Sequence, residues 1–147
     1  MARVKLDLPE QFPFSTEISV RIGDINYGGH LGNDAVLSLL HEARVRFLKS
    51  LGFTEMDIDG RSIIMLDAVV IYKAEVFYGD RLKFEIAIAD VNTLGFDIMY
   101  RVTNPETLKE VVHAKTGIAF FDYGRRKVVE MPSTFKSAVA IENAQSP

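Results

Sequence analysis

Apolar residues recur every three or four positions between residues 34 and 51, a spacing typical of one face of an α-helix of about five turns. The main stripe consists of Val36, Leu40, Ala43, Phe47 and Leu51. Four more apolar residues widen it, namely Leu37, Leu39, Val45 and Leu48. The pattern therefore predicts a long helix that is buried over most of its circumference.

Both ends of this helix carry boundary signals. Asn33 suits the N-cap, where a short polar side chain accepts a hydrogen bond from a first-turn N–H group, and Asp34 places a negative charge in the first turn. Gly52 suits the left-handed position that follows a helix. We therefore expect the helix to begin at Asn33 or Asp34 and to end just before Gly52.

Strand-like segments lie on both sides of the helix. Apolar and polar residues alternate in residues 16–23, as expected for a half-buried strand. After the helix, the strand-like segments are residues 63–77, which are nearly continuously apolar, then 82–88, 96–102 and 110–122, with a short pairing segment in 127–131. The tail, residues 132–147, indicates no more than one weak helical turn.

The order of these segments predicts the fold class. Short turns separate the later strands, and such turns join antiparallel neighbours. A highly apolar helix combined with consecutive antiparallel strands predicts an α+β fold, in which a curled sheet of about five strands wraps around one long central helix. We expect a single domain over residues 1–147, with its core at about 16–131.

Composition excludes several classes of function. The net charge of −3 argues against a nucleic-acid-binding protein, for which a basic surface is expected. The chain has no cysteine, which excludes disulfides, cysteine-ligated metals and a thiol nucleophile. No apolar run is long enough to span a membrane, and the N-terminus lacks the apolar centre of a signal peptide. A cytoplasmic location is therefore expected.

A polar, glycine-rich loop, residues 23–33, leads into the helix. Backbone N–H groups around Gly28, Gly29 and His30 could hold a ligand oxygen, with the positive end of the helix behind them. His30 could also polarise a carbonyl or orient a water molecule. The alternatives are that Gly28 and Gly29 form only a tight turn, and that His30 only hydrogen-bonds to the backbone.

Two acids, Asp67 and Glu75, fall within the long predicted strand. A buried carboxylate must be paired, protonated or used in chemistry, so either acid is a candidate general base. Asp67 could instead bond to a loop backbone or face water at a sheet edge, and Glu75 could pair with Lys73. Asp34 and Glu42 are weaker candidates, because first-turn acids and acids with a partner four residues away usually stabilise the helix.

These residues resemble a motif of the hotdog-fold thioesterases of the 4-hydroxybenzoyl-CoA thioesterase type. In that family a strand ends in a motif close to Asp-x-Asp-x-x-Gly-His-Val-Asn-Asn, and the central helix follows. The matching run here is Asp24–Asn33, and the similarity continues in Glu42-Ala43-Arg44, in Leu51-Gly52-Phe53 and in Tyr72–Leu82. The resemblance covers about residues 16–129 and implies the hotdog fold.

One position departs from the family motif. The second aspartate of the motif is the catalytic carboxylate in the bacterial enzymes, and Asn26 occupies its place here. An amide is neither a nucleophile nor a general base at neutral pH. The plant acyl-ACP thioesterases, which look similar, have Asp-x-Asn, then a histidine and a later glutamate. By that resemblance, Asp24, Asn26, His30 and Glu75 would form the site. Asn26 would bind substrate or position water. Asp24 could hold Asn26 or His30 in place, or it could be only a turn residue that ends the strand.

The resemblance implies hydrolysis of an acyl-CoA or acyl-ACP thioester by a homodimer or a dimer of dimers, with the site between subunits. Coenzyme A would enter as part of the substrate, and neither a cofactor nor a metal is expected, because the three histidines are far apart in the sequence. Lys73 could contact CoA phosphates, and Asn33 would serve as the helix cap. Candidates for the acyl pocket are Tyr27, Phe47 and Met65.

Two other functions are compatible with the same residues. The replacement at Asn26 suits a hotdog protein that binds acyl-CoA or an acyl-carrier protein without cleaving it. A hotdog enoyl-CoA hydratase or dehydratase would share the fold and the ligand, but would need a different arrangement of acid and base.

Overall fold

A computed structural model describes residues 2–145, with side chains described up to residue 140. Six strands and two α-helices form this part of the chain. They are β1 (Phe14–Ser19), α1 (Asn33–Ser50), β2 (Ser62–Tyr72), β3 (Arg81–Ala89), β4 (Gly95–Asn104), β5 (Lys109–Asp122), β6 (Lys127–Val128) and α2 (Ser133–Gln145), with a short 3-10 helix at Ile22–Asp24 between β1 and α1.

All the strands belong to one antiparallel sheet with the order β1-β3-β4-β5-β2, and the two-residue strand β6 pairs with β5. One row of facing residues crosses the whole sheet, through Phe14, Ile86, Tyr100, Ala114 and Val70. The predicted α+β fold with a curled antiparallel sheet and a helix packed against it is confirmed. The short pairing segment after β5 is also present.

Helix α1 covers the concave face of the sheet. Its buried apolar residues are Val36, Leu39, Leu40, Ala43, Phe47 and Leu48. The prediction that the helix is buried over most of its circumference was too broad, because Leu37 and Val45 are 41% and 42% exposed. Phe47 packs edge-on against Phe14 at a centroid distance of 5.5 Å, so it belongs to the core and not to an acyl pocket.

The C-terminal end of α1 is as predicted, and the N-terminal end is not. Gly52 has a φ of +86°, and its N–H donates to the Lys49 carbonyl while that of Phe53 donates to Leu48, which closes the helix as predicted. The prediction that Asn33 caps the other end was wrong. Asn33 is the first helical residue, and the N-cap is Gly32, which has no side chain with which to cap.

Strands β1 and β2 are shorter than predicted. After Ser19 the chain turns through the 3-10 helix, where Ile22 is 70% exposed. β2 ends at Tyr72 instead of continuing to residue 77. The segment after it leaves the sheet, and the Val76 carbonyl accepts a hydrogen bond from the Leu31 N–H. Val76 is therefore bonded to the polar loop that precedes α1, while Gly79 and Asp80 are bonded to Val20, just after β1.

Helix α2 was predicted only as one weak turn. It spans 13 residues, and Phe135 near its start is fully buried. The Phe135 ring stacks on Phe96 at 4.9 Å and contacts Phe120 at 5.3 Å and Phe53 at 5.9 Å between centroids. The aromatic cluster attaches this helix to the sheet, which explains why weak local helix signals were sufficient.

Candidate active site

A cavity of about 280 Å³ opens where the polar loop, the start of α1 and the end of β2 meet. Four predicted site residues line it: His30, Asn33, Lys73 and Glu75. They converge because the Leu31–Val76 hydrogen bond holds the two loops together. Asp24, Asn26, Tyr27, Gly28, Gly29 and Asp67 are not in the cavity lining.

The loop before α1 is closed by its own hydrogen bonds. The Gly28 N–H donates to the Asn26 side-chain oxygen at 2.9 Å, and the Gly29 N–H donates to the Asn26 carbonyl at 3.1 Å. The Asn26 N–H in turn donates to the His30 carbonyl. Gly28 and Gly29 therefore form the tight turn that was the alternative interpretation, and their N–H groups are already engaged. The Gly28 and Gly29 N–H groups are therefore not open donors for an oxyanion in this arrangement, and a role for the His30 N–H group stays a prediction.

The first turn of α1 provides other donors. No side chain caps the helix, and the N–H groups of its first residues have no carbonyl one turn earlier to bond to. These groups, at Asn33, Asp34 and Ala35, carry the positive end of the helix dipole. Because Asn33 lines the cavity, this helix start is suited to hold an oxyanion there.

Asp24 has a structural role in the turn after β1. It is only 5% exposed, and its carboxylate accepts a hydrogen bond from the Arg21 backbone N–H at 2.9 Å and further bonds from the Arg21 side chain. Its side chain does not hold His30 or Asn26, and its place in the turn matches the alternative interpretation. Its carbonyl accepts the Gly32 N–H at 3.0 Å, which helps to place the helix start.

Glu75 lies outside any strand, on the segment that folds back over the loop. The premise that it is buried in a strand was wrong, because Glu75 is exposed and lines the open cavity. Among residues 2–140, Glu75 forms no ion pair with Lys73 or any other side chain. It is therefore a carboxylate without a structural partner in the same cavity as His30.

Asp67 is also exposed and belongs to the outer surface of the sheet, at the β-bulge in β2. Both carboxylate oxygens accept hydrogen bonds from the Lys115 ammonium, at 2.8 and 3.0 Å, and the Gly117 N–H donates to one of them. The hydrogen bonds from Lys115 lower the pKa of Asp67 below its usual range. Its position at a sheet edge facing water matches the alternative interpretation.

Tyr72 is a cavity residue that was not singled out from the sequence. Its hydroxyl donates to the Asn33 carbonyl at 3.2 Å, which ties the end of β2 to the start of α1. A tyrosine at the end of a strand has no distinctive sequence signal. Tyr27, by contrast, is fully exposed at the loop tip.

A scan of family models matches residues 20–139 to the thioesterase-like superfamily. The chain belongs to this superfamily. A search of curated protein sequences finds no match. Superfamily membership agrees with the predicted relationship to hotdog thioesterases, while the narrower 4-hydroxybenzoyl-CoA type stays a prediction.

Solved structures share the fold of this superfamily member. A 1,4-dihydroxy-2-naphthoyl-CoA thioesterase from Synechocystis is 21% identical, covering 88% of this chain and 96% of its own, with a TM-score of 0.79. A DHNA-CoA thioesterase from Staphylococcus aureus is 20% identical, with coverages of 88% and 90% and a TM-score of 0.79. A protein from Staphylococcus aureus in complex with CoA is 14% identical, with coverages of 98% and 90% and a TM-score of 0.80. At these identities the likeness establishes the hotdog fold.

Two further properties concern the part of the chain that the structure describes. No helix within it is long and apolar enough to cross a membrane. No group of three or more histidine or acidic side chains within it is placed to hold a metal ion.

Proposed function

We propose that this thioesterase-superfamily protein hydrolyses acyl-CoA or acyl-ACP thioesters in the cavity at the start of α1. One observation carries the proposal: Glu75, a carboxylate without a structural partner, lines the same cavity as His30 and the uncapped helix start. Thioester hydrolysis needs a base for water and donors for the developing oxyanion, and Glu75 and the helix start are the candidates for these two roles.

In the proposed mechanism the thioester carbonyl oxygen points at the first-turn N–H groups of α1. Glu75 takes a proton from water, and the oxygen of that water forms a bond to the carbonyl carbon. The N–H groups stabilise the negative charge on the tetrahedral intermediate, and each such donor typically lowers the barrier by about 3 kcal/mol. The carbon–sulfur bond then breaks, and the proton on Glu75 passes to the departing CoA sulfur.

The remaining cavity residues position the substrate. His30 lines the same cavity as Glu75 and orients the attacking water. Tyr72 holds the helix start in place through Asn33. Lys73 places a positive charge at the cavity, where it suits the phosphates of a CoA or phosphopantetheine group. Asn26 shapes the loop through its hydrogen bonds to Gly28 and Gly29, and it is not required to act as a base.

The neighbours support a CoA thioester as substrate. Two of the structural relatives are named as thioesterases acting on an aromatic acyl-CoA, and a third was solved with CoA bound. A substrate of the 4-hydroxybenzoyl-CoA type would fit the same pattern.

A binding protein without activity is the second candidate, because an asparagine occupies the place of the family's catalytic aspartate.

The first prediction concerns turnover. Purified protein should release free CoA thiol from at least one ester in a panel of short-chain, long-chain and aromatic acyl-CoA substrates, detected with a thiol reagent. Stabilisation of the protein against heat by CoA esters, without release of thiol from any of them, would contradict hydrolysis and favour the binding protein. Hydration of an enoyl-CoA in place of thiol release would indicate a hydratase.

We also propose that two copies of the chain pair through β2. This strand lies at the edge of the sheet, is 11 residues long and is mostly apolar, yet Met65 and Leu66 are 48% and 63% exposed. A long apolar edge strand presents unpaired backbone groups that another strand can take up. Pairing with a second copy would cover these residues and bring a second subunit close to the cavity at the end of β2.

The second prediction tests this pairing. Leu66→Lys places a charge at the β2 edge and should shift the protein from dimer toward monomer, since edge lysines oppose strand addition. The mass in solution can be measured by light scattering after size exclusion. Leu108→Lys is the matched control, because Leu108 is even more exposed but lies in the turn between β4 and β5. A wild-type protein that is monomeric at micromolar concentration would refute the proposal.

A further inference from the structure

A second cavity, of about 240 Å³, continues along α1 directly after the first. The first cavity ends at Val36 on the helix, and the second begins at Leu37 and extends to Arg44. On the sheet side, Tyr72 and Val112 border the first cavity, and Met65 and Thr116 border the second. The two cavities therefore follow one another along both the helix and the β2–β5 pair.

The distance between the cavities suits the length of an acyl group. Eight helical residues separate Asn33 from His41, which corresponds to roughly 12 Å. Four strand residues separate Val112 from Thr116, which corresponds to roughly 13 Å. Neither cavity alone reaches the volume of about 300–1,000 Å³ that is typical of small-molecule sites. A thioester held at the helix start would thus extend its acyl group toward the second cavity.

An ordinary acyl pocket is lined by apolar side chains, whereas one wall of the second cavity is polar. Arg44, with a side chain only 8% exposed, donates from Nε to Glu55 at 2.9 Å and from Nη1 to the Tyr100 hydroxyl at 3.2 Å. The Tyr100 and Thr116 hydroxyl oxygens lie 2.8 Å apart. Arg44 and Thr116 both line the cavity, and Tyr100 connects them from within the core.

This chain of hydrogen bonds can end in a donor at the cavity. The Tyr100 hydroxyl accepts a bond from Arg44, and either hydroxyl can donate in the Tyr100–Thr116 bond. When Tyr100 donates, the Thr116 hydroxyl keeps its own proton for a ligand in the cavity that Thr116 lines. Arg44 contributes as well, because two bonds engage only two of the five donors on a guanidinium group. Thr116 and Arg44, which are both almost fully buried, can thus supply donors at the second cavity.

The charges in the wall favour a neutral acceptor. Glu55 already neutralises Arg44, and its other carboxylate oxygen is hydrogen-bonded to His41. Burial alone would raise the pKa of Glu55, but the hydrogen bonds from Arg44 and His41 lower it, so the group is ionised at neutral pH. A carboxylate on the ligand would have to compete with Glu55 for the same cation. A hydroxyl oxygen accepts a hydrogen bond without this competition.

From this arrangement we infer that the second cavity selects acyl groups carrying a hydroxyl at the end far from the thioester, with Thr116 as the residue that determines specificity. The inference rests on the proposed thioesterase function and adds a substrate class to it. A plain hydrocarbon end would displace water from Thr116 and Arg44 without supplying an acceptor for their remaining donors, and donors that lose an acceptor in a buried site are costly. A terminal hydroxyl satisfies them.

The third prediction compares two esters that differ only in this group, ω-hydroxydecanoyl-CoA and decanoyl-CoA. The wild-type protein should favour the hydroxylated ester by about tenfold or more in kcat/KM, the ratio expected from one buried hydrogen bond. Thr116→Val removes the donor at nearly constant volume and should bring the two esters to within about twofold of each other. Thr116→Ser keeps the donor and should restore the preference. A loss of activity toward both esters by the same factor would indicate a structural role and overturn the inference.

A second variant keeps the test decisive if Thr116→Val does not fold. Ser38 lies on the exposed side of α1 and lines the cavity, so Ser38→Leu should fill it without disturbing the core. It should lower kcat/KM for both ten-carbon esters about tenfold more than kcat/KM for butyryl-CoA, whose short chain does not reach the cavity. Lys49→Leu, on the same helix but away from the cavity, is the control. Equal activity of Ser38→Leu toward all three esters would overturn the placement of the acyl group.

Calorimetric binding of the same two esters separates this inference from the proposed function. Tighter binding of the hydroxylated ester without any thiol release would support the cavity and refute hydrolysis. Thiol release from both esters at equal rates and with equal affinities would support hydrolysis and refute the selectivity.

Discussion

Glu75→Gln should lower kcat for thioester hydrolysis by roughly a hundredfold to ten-thousandfold, the range that a positioned general base contributes. The amide keeps the size of the side chain but cannot accept a proton from water. Because Glu75 is exposed and has no ion-pair partner among the described residues, the change should leave the folded structure intact. The expected measurements are a loss of kcat and an unchanged thermal stabilisation by CoA.

Asp67→Asn is the matched control, since it makes the same chemical change in the other acid that the sequence suggested. Asp67 is bound to Lys115 and Gly117 on the outer surface of the sheet and lies outside the cavity lining. Its replacement should leave kcat within about twofold of wild type, since surface substitutions away from special features have small effects. The assignment of the base would be wrong if Asp67→Asn abolished turnover and Glu75→Gln retained it.

Phe135→Ala should lower the free energy of unfolding by about 3–5 kcal/mol, the usual cost of removing a fully buried phenylalanine. The ring stacks on Phe96 and contacts Phe120, so its removal leaves a cavity between α2 and the sheet. Denaturation with urea, followed by circular dichroism, gives the change in stability from the shift in midpoint.

Phe77→Ala provides the comparison, because Phe77 is 50% exposed and the same side chain is removed there. Its effect on the free energy of unfolding should stay below about 1 kcal/mol. If the two variants had equal stability, α2 would not be an integral part of the fold. The prediction therefore tests the element for which the local sequence signal was weakest.

The central helix and most of the sheet followed from periodicity alone. A spacing of three or four residues defines α1, and alternation defines β3, β4 and β5 close to their observed limits. The predicted element boundaries were wrong where tertiary contacts, and not the regular spacing of apolar residues, determine the path of the chain. The apolar run of β2 continues beyond Tyr72, but the chain leaves the sheet there to hold the loop through Val76 and Leu31.

The sequence did contain a signal for the polar wall of the second cavity, but periodicity alone does not reveal what that signal means. Arg44 interrupts the apolar stripe between Ala43 and Phe47, and Thr116 interrupts an inward row of apolar residues in β5. A polar residue in a core row indicates a partner, but its identity depends on residues far apart in the chain. Arg44 and Tyr100 are 56 residues apart, and only the packed helix and sheet bring them together.

For this protein, the sequence by itself determined the order and type of most elements and the superfamily motif, because these depend on residues that are close in the chain. Tertiary structure alone decided which groups are available for chemistry. It engaged the Gly28 and Gly29 N–H groups in a turn, paired Asp67 with Lys115, and left Glu75 and the start of α1 open in one cavity. Whether a donor or acceptor is free to bind a ligand depends on which groups lie next to it in the folded chain. Local sequence patterns do not contain that information.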